Sequence, residues 1–125
     1  MGMPTATVRL LHGENEVIVQ ASVGTGPVDA AYRAIDMIVK TPNTLIEYSV
    51  HSVTEGIDAL GEVTVRIQSP ESKRIVGGYG ADSDIIVSSV KAYMAALNRL
   101  IALQGYGDTV QPEGDAATIN IKNQE

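Results

Sequence analysis

Residues 24–27 read Gly-Thr-Gly-Pro and residues 80–83 read Gly-Ala-Asp-Ser, and each stretch follows two short strand-like runs and precedes a helix-like run. The strand-like runs also match, because Thr-Val-Arg-Leu at 7–10 returns as Thr-Val-Arg-Ile at 64–67. Corresponding positions are 57 residues apart in the strands and 56 apart in the turns. Such a duplicated unit usually pairs about a pseudo-twofold axis, and the seam between copies is a natural small-molecule pocket.

Each unit is predicted to be two strands, a helix and a trailing strand. Alternating apolar residues predict the strands, which are 5–11, 16–23, 44–53, 62–68, 73–79 and 117–121. We therefore expect an α+β fold of internally duplicated ββα(β) units, with two helices packed on mostly antiparallel sheets. The domain plan is a single domain over 1–125, with repeat one at about 5–53, a linker at 54–61 and repeat two at about 62–121. A polar loop is expected over 107–114.

Both helices carry start and stop signals. Gly26 suits the N-cap of the first helix and Pro27 its first position, while Lys40 falls in the last turn and Pro42 forbids continuation. The second helix is predicted to be capped by Asp82 or Ser83, with Asp84 in the first turn and Gly105 as a stop. Its apolar residues recur at helical spacing, at Ile86, Val90, Tyr93, Leu97 and Ile101.

Composition excludes several classes of protein. The 125 residues carry a net charge of −6, and the nine basic residues are scattered, so a nucleic-acid surface or an anionic membrane surface is not expected. The chain has no cysteine, which excludes disulfides and thiolate chemistry and fits a cytoplasmic protein. It has no Phe or Trp, so any pocket should be narrow and aliphatic.

Catalytic patterns are scarce. His12 and His51 belong to no metal-binding spacing, and the adjacent Ser88 and Ser89 lack the glycines of a nucleophile elbow. The glycine turn at 24–27 lacks the third glycine of a dinucleotide site, yet its backbone N–H groups at a helix start suit a carboxylate or small anion. An ordinary strand-to-helix turn is the alternative interpretation.

Carboxylates also gather around the predicted linker. They are Glu55, Asp58 and Glu62. They suit either an ammonium or metal partner, or simply a solvated loop, and composition favours the loop.

Three segments together resemble a known family. They are 24–30 (Gly-Thr-Gly-Pro-Val-Asp-Ala), 52–63 (Ser-Val-Thr-Glu-Gly-Ile-Asp-Ala-Leu-Gly-Glu-Val) and 80–86 (Gly-Ala-Asp-Ser-Asp-Ile-Ile), and the likeness continues at 92–93 and 96–100. The chain resembles the C-terminal regulatory domain of 2-isopropylmalate synthase over roughly 7–100.

The resemblance implies a duplicated domain that dimerises and binds leucine, the pathway end product. In that family the domain feeds back on a separate metal-dependent barrel, an acyltransferase that condenses acetyl-CoA with 2-oxoisovalerate in leucine biosynthesis. This chain lacks the barrel and its His-x-His metal site, so by itself it is expected to be non-catalytic and to hold no cofactor. The implied partners are leucine or a similar branched-chain amino acid, a second copy in a homodimer, and the barrel of a parent enzyme. The chain is then an excised domain or a free-standing relative.

The resemblance also implies an effector pocket. The positions that match it are Gly24, Gly26, Asp29, Leu45, Tyr48, Ser52, Ala59, Ala81 and Asp82. In this interpretation the turn at Gly26 binds the effector carboxylate, and Leu45 and Ala59 contact its side chain. Asp29 or Asp82 would pair with its ammonium group.

Other functions stay open. An isoleucine-binding regulatory domain of citramalate synthase is a variant within the class, because one methyl shift changes affinity by only about 1–3 kcal/mol. A purely structural dimerisation module would be indifferent to amino acids. A small enzyme using the Asp/Glu cluster is the third possibility, and no base–nucleophile pair supports it.

Overall fold

The computed structural model describes residues 3–12, 16–55, 58–104, 110–112 and 119–123. The helices are α1 (Pro27–Val39) and α2 (Ile85–Gln104). The strands are β1 (Pro4–His12), β2 (Glu16–Val23), β3 (Thr44–Glu55), β4 (Asp58–Gln68), β5 (Ile75–Asp82), β6 (Val110–Pro112) and β7 (Ile119–Asn123). Every strand pair is antiparallel. The predicted α+β class is confirmed, while the internal duplication, the pseudo-twofold axis and the dimer stay predictions.

The chain divides into two compact units. The first unit is Met1–Lys40 with Val110–Glu125, and the second unit is Thr41–Thr109. In the first unit β1 is central, with β2 on one edge and β6 and β7 on the other. In the second unit β4 is central, between β3 and β5. In each unit the helix packs on the central strand and on the strand that precedes the helix in the chain.

Strand β3 therefore belongs to the second unit, although the predicted repeat placed 44–53 in the first. The predicted linker over 54–61 is also largely strand, because β3 runs to Glu55, β4 begins at Asp58, and Glu55 pairs with Asp58. Long cross-strand pairing outweighs the polar, glycine-containing composition that suggested a loop. Gly56 and Ile57 lie outside the described residues.

The end of the chain also differs from expectation. Within the predicted polar loop, Val110–Pro112 forms β6, which pairs with Leu10–His12. The predicted last strand is shifted to Ile119–Asn123, which pairs with Pro4–Val8. Both corrections have one cause: the open edge of β1 offers hydrogen-bonding groups that local composition does not reveal. The predicted helix stop at Gly105 lies outside the described residues.

Helix α1 begins as predicted and ends at Val39, so that Lys40, which was predicted in the last turn, is the C-cap instead. Gly26 is the N-cap in an extended conformation (φ −154°), and Pro27 occupies the first helical position. Lys40 takes the left-handed conformation (φ 47°) and donates its backbone N–H to the Asp36 carbonyl at 3.0 Å, which closes the last turn. Pro42 follows two residues later, where a helix could not continue.

Helix α2 starts later than its predicted caps. Strand β5 continues through Asp82, and Asp84 is the residue that caps the helix, accepting the Ile86 N–H at 2.8 Å. The predicted caps Asp82 and Ser83 are therefore wrong. All members of the predicted apolar stripe except Ile86 are buried.

Glycines let α2 lie close to its sheet. The face of β5 towards α2 carries Gly78 and Gly80, and a Cβ on Gly78 would overlap the Ala92 carbonyl oxygen. Val63, Val65 and Ile67 of β4 complete this buried face. By length and composition α2 could cross a membrane, but such a helix is weak evidence when, as here, most of that span is buried within the protein.

Candidate functional site

The turn before α1 is open at its N-cap. Gly26 provides no side-chain cap, and a Cβ placed there would meet nothing within 4 Å. Pro27 has no N–H, so the uncapped donors of the first turn are the backbone N–H groups of Val28 and Asp29. Uncapped N–H groups at the positive end of a helix dipole suit a carboxylate.

Asp29 braces this turn from inside the helix. Its Oδ2 accepts the Thr25 backbone N–H at 2.9 Å and the Arg33 Nε–H at 3.0 Å. The Thr25 N–H, followed by the charge of Arg33, holds the pKa of the Asp29 carboxyl below its ordinary value despite an opposing desolvation effect. Gly24 packs against the same turn, where a Cβ would lie 2.5 Å from both Asp29 Oδ2 and the Ala30 nitrogen. Asp29 is thus ionised and already paired with a cation.

In the second unit, three predicted positions lie on one face of β3. Tyr48 pairs with Val65 and Leu45 with Ile67, whose side chains are buried beneath α2, and Ser52 pairs with Gly61. Val50 lies on the same face, opposite Val63. We call these four residues, Leu45, Tyr48, Val50 and Ser52, the β3 face.

The β3 face is only partly covered. Helix α2 packs on β4 and β5, and Leu45, Tyr48 and Val50 remain 42%, 39% and 46% exposed. Three half-exposed apolar side chains beside a helix form a surface that an aliphatic side chain could complete. Sequence reasoning missed Val50, although its two-residue spacing from Tyr48 and Ser52 was a signal.

One hydrogen bond ties the β3 face to α2. The Tyr48 hydroxyl lies 2.6 Å from Ser89 Oγ, and Ser89 Oγ donates to the Ile85 carbonyl at 2.8 Å. Ser89 is fully buried. The contact joins residues 41 positions apart, so nothing in the local sequence could have indicated it.

Asp82 lies in the same cross-strand row as Ser52, since both pair with Gly61 from opposite sides. Two strand spacings place their backbones about 10 Å apart. The Asp82 carboxylate accepts the Asp84 N–H at 3.0 Å and Lys91 Nζ at 3.2 Å. The Asp84 N–H, then Lys91, lowers the pKa of Asp82 against an opposing desolvation effect. Asp82, like Asp29, is therefore an ion-paired carboxylate near a helix start.

The remaining predicted positions lie elsewhere in the second unit. Ala81 pairs with Glu62, on the sheet face opposite Asp82. On that face Glu62 accepts the Tyr79 hydroxyl at 2.7 Å, a bond that raises the pKa of Tyr79. Ala59 lies in β4 opposite Thr54.

The structure thus groups the predicted positions within each unit. Gly24, Gly26 and Asp29 form one turn of the first unit, while Leu45, Tyr48, Ser52 and Asp82 share the helix-side face of the second unit's sheet. Sequence reasoning missed the basic partners Arg33 and Lys91. The four-residue step from Asp29 to Arg33 was a signal for the first. Within the described parts of the chain, no cluster of His, Asp or Glu could hold a metal ion.

Known proteins are similar to this chain over most of its length. Residues 1–101 match the family model of the LeuA allosteric (dimerisation) domain. The chain belongs to this family. Helix α1, all but the last three residues of α2 and most of both sheets fall within the matched residues, so the LeuA allosteric domain spans both units.

Curated relatives of this LeuA allosteric domain are named 2-isopropylmalate synthase. That of Prochlorococcus marinus (strain NATL1A) is 48% identical over 120 residues, which are 96% of this chain and 22% of the relative. That of Thermosynechococcus vestitus is 59% identical over 97 residues, or 78% of this chain and 18% of the relative. That of Gloeobacter violaceus is 54% identical over 99 residues, or 79% and 18%. The chain spans about a fifth of the length of these relatives. Family membership supports an allosteric and dimerisation role.

Proposed function

We propose that this chain is the leucine-binding regulatory and dimerisation domain of a 2-isopropylmalate synthase and mediates feedback inhibition in leucine biosynthesis. The proposal includes a homodimer, a cytoplasmic location and a catalytic barrel that uses a divalent metal, with no cofactor bound by this domain. The family match over 1–101 is the observation that carries it. The names of the curated relatives supply the parent activity.

The two helix starts support an amino-acid carboxylate as part of the ligand. At α2 the carboxylate of Asp84 already accepts the Ile86 N–H, so that end is filled by the chain itself. At α1 no side chain takes this place, and the space beside Gly26 is open. An effector carboxylate can therefore accept backbone N–H groups at the start of α1, as the Asp84 carboxylate does at the start of α2.

The β3 face supports a branched aliphatic side chain. Leu45, Tyr48 and Val50 are partly exposed and apolar, and each lies opposite a fully buried residue of β4. Covering this surface with a C4 side chain would remove apolar area from water on both partners, at about 25 cal/mol per Å². None of the four residues of the β3 face is charged.

The effector ammonium group would meet a carboxylate that already has a cation. Asp29 is paired with Arg33, and Asp82 with Lys91. A carboxylate has two oxygens and can accept several hydrogen bonds, so an ammonium group can join either pair without displacing its cation. The depressed pKa of each carboxyl keeps it ionised at neutral pH.

Regulation then follows from linkage. An effector that binds one arrangement of the dimer better than another shifts the population towards that arrangement, with a coupling of typically about 1–3 kcal/mol. By reciprocity, substrate binding at the barrel would change leucine affinity by the same factor.

The first test is calorimetric titration of this chain with leucine, isoleucine and valine, with gel filtration alongside. Leucine-selective binding by a dimer is the expected result. A preference for isoleucine would move the chain to the citramalate synthase type. A dimer that binds none of the three would leave a purely structural module, and a monomer at high micromolar concentration would contradict both roles.

A further inference from the structure

Two neighbouring serines of α2 make different contacts. Ser88 and Ser89 are both fully buried. The Ser88 hydroxyl lies within hydrogen-bonding distance of three backbone carbonyls, those of Gly61, Asp82 and Asp84, at 2.8–3.2 Å. Ser89 bonds the Ile85 carbonyl and also meets the Tyr48 hydroxyl. Only the second serine thus reaches the β3 face.

The direction of the Ser89 contact follows from its chemistry. A carbonyl oxygen only accepts, so the single hydroxyl proton of Ser89 goes to Ile85. Ser89 Oγ must then accept from Tyr48, and the phenol donates at 2.6 Å. The order of donation is Tyr48 to Ser89 to the Ile85 carbonyl. These two hydrogen bonds anchor the hydroxyl end of the Tyr48 side chain. The backbone of Tyr48 is anchored by its strand pairing with Val65.

Anchoring at both ends fixes a ring that would otherwise be free to turn. The Tyr48 side chain is 39% exposed, so packing alone does not confine it. The geometry points to Ser89 as a positioning residue that holds the Tyr48 ring as a rigid wall for the effector's side chain. This assignment rests on the proposed function, because it needs the β3 face to contact the amino acid.

A rigid wall matters for choosing between isomers. Leucine and isoleucine differ only in where the methyl branch lies, and a wall that can move repacks around either branch. A ring that must be ordered on binding also costs affinity, by an amount equivalent to about two- to tenfold for one side chain. Loss of the Ser89 contact should therefore weaken leucine binding and reduce the difference between the affinities for leucine and isoleucine.

The test is a double-mutant cycle on the full chain, with leucine and isoleucine titrated by calorimetry. Ser89→Ala and Tyr48→Phe are each expected to weaken leucine binding about two- to tenfold and to lower the leucine-to-isoleucine affinity ratio. The double variant should match the single variants, because both changes break one contact. Ser88→Ala is the matched control: it removes buried hydrogen bonds and stability but should leave the affinity ratio unchanged.

Several outcomes would overturn the assignment while leaving the proposed function intact. They are an unchanged affinity ratio in Tyr48→Phe, additive effects in the double variant, or an equal change of the ratio in Ser88→Ala. If Ser89→Ala does not fold, the partly exposed Tyr48→Phe still decides the matter. A wild-type chain that binds neither amino acid would instead refute the proposed function itself, and with it this inference.

Discussion

Asp84 Oδ1 accepts the backbone N–H of Ile86 at 2.8 Å, so a carboxylate of the chain itself caps helix α2. At the start of α1 the N-cap is Gly26, and no side chain makes the equivalent bond. The two units therefore differ at the turn that opens each helix. One helix end is satisfied internally, and the other is left for a ligand or for water.

Replacing Asp84 by alanine should destabilise the second unit. The Ile86 N–H would lose its cap, and N-cap losses of this type cost about 0.5–2 kcal/mol. Urea unfolding followed by circular dichroism measures the change. Asp84→Ser keeps a capping oxygen and should recover most of the stability. Equal losses in both variants would show that the cap contributes little.

Replacing Gly26 by serine should change stability and effector binding in opposite directions. The new hydroxyl has open space and can cap α1, which should stabilise the chain by a few tenths of a kcal/mol. The same hydroxyl would occupy the donors assigned to the effector carboxylate. A hydrogen bond to a charged group contributes about 1.5–3 kcal/mol, so leucine affinity should fall roughly tenfold or more.

Thermal unfolding and calorimetric titration read these two effects separately. Asp84→Ser is the control, since it exchanges one cap for another at the helix end that is already filled. Unchanged leucine affinity in Gly26→Ser would place the effector carboxylate somewhere other than the start of α1.

The pH dependence of stability should carry a contribution from Asp29. The Thr25 N–H and Arg33 depress the pKa of Asp29 in the folded chain below the ordinary 3.8. A depressed carboxyl pKa stabilises the fold above the unfolded value, and this stabilisation is lost as the pH falls through the folded value. Asp29→Asn should therefore be less stable than wild type at neutral pH, with the difference shrinking below about pH 3.8.

Urea midpoints measured from acidic to neutral pH test this dependence. Repeating the series in high salt should reduce the Arg33 part, because the pair is solvent-exposed, and spare most of the Thr25 hydrogen bond. Parallel curves for wild type and variant across the whole range would contradict the prediction.

Alanine at Gly78 should disrupt the packing of α2 on β5. The added Cβ would overlap the Ala92 carbonyl oxygen and lie 2.6 Å from the Ala96 nitrogen, both in helix backbone that cannot rotate away. Overpacking of this kind costs about 1–3 kcal/mol or more. Gly77→Ala is the matched control on the next residue, where the nearest atom is 3.6 Å away. Chemical denaturation measures both variants. Comparable losses of stability in Gly78→Ala and Gly77→Ala would show that steric overlap with α2 is not the cause.

Local signals predicted the parts of the fold that near neighbours control. Gly26 and Pro27 define a helix start, and Lys40 followed by Pro42 defines its end, because capping and proline geometry act over a few residues. The hairpin of β1 and β2 was predictable from alternation on both sides of a turn. The candidate site was predictable only as a set of positions, through resemblance to a family.

The tertiary contacts of those positions were not predictable. Asp84 caps α2 instead of Asp82 because β5 extends further than its composition suggests, and that extension depends on pairing with β4. Arg33 beside Asp29 is a four-residue step that could have been noticed, whereas Lys91 reaches Asp82 across nine residues. Val50 joins the β3 face through strand alternation, but its exposure depends on where α2 lies.

The sequence by itself determined the class of fold, the helix boundaries at α1 and the family, because these depend on short-range propensities and on residues read in order. Only the tertiary structure decided that β3 pairs with β4, that β6 and β7 pair with β1, and that Tyr48 bonds Ser89. Each of these joins backbone or side-chain groups distant in the chain, and which distant partners meet is set by the burial of whole faces. That long-range choice leaves no mark in any local window of residues.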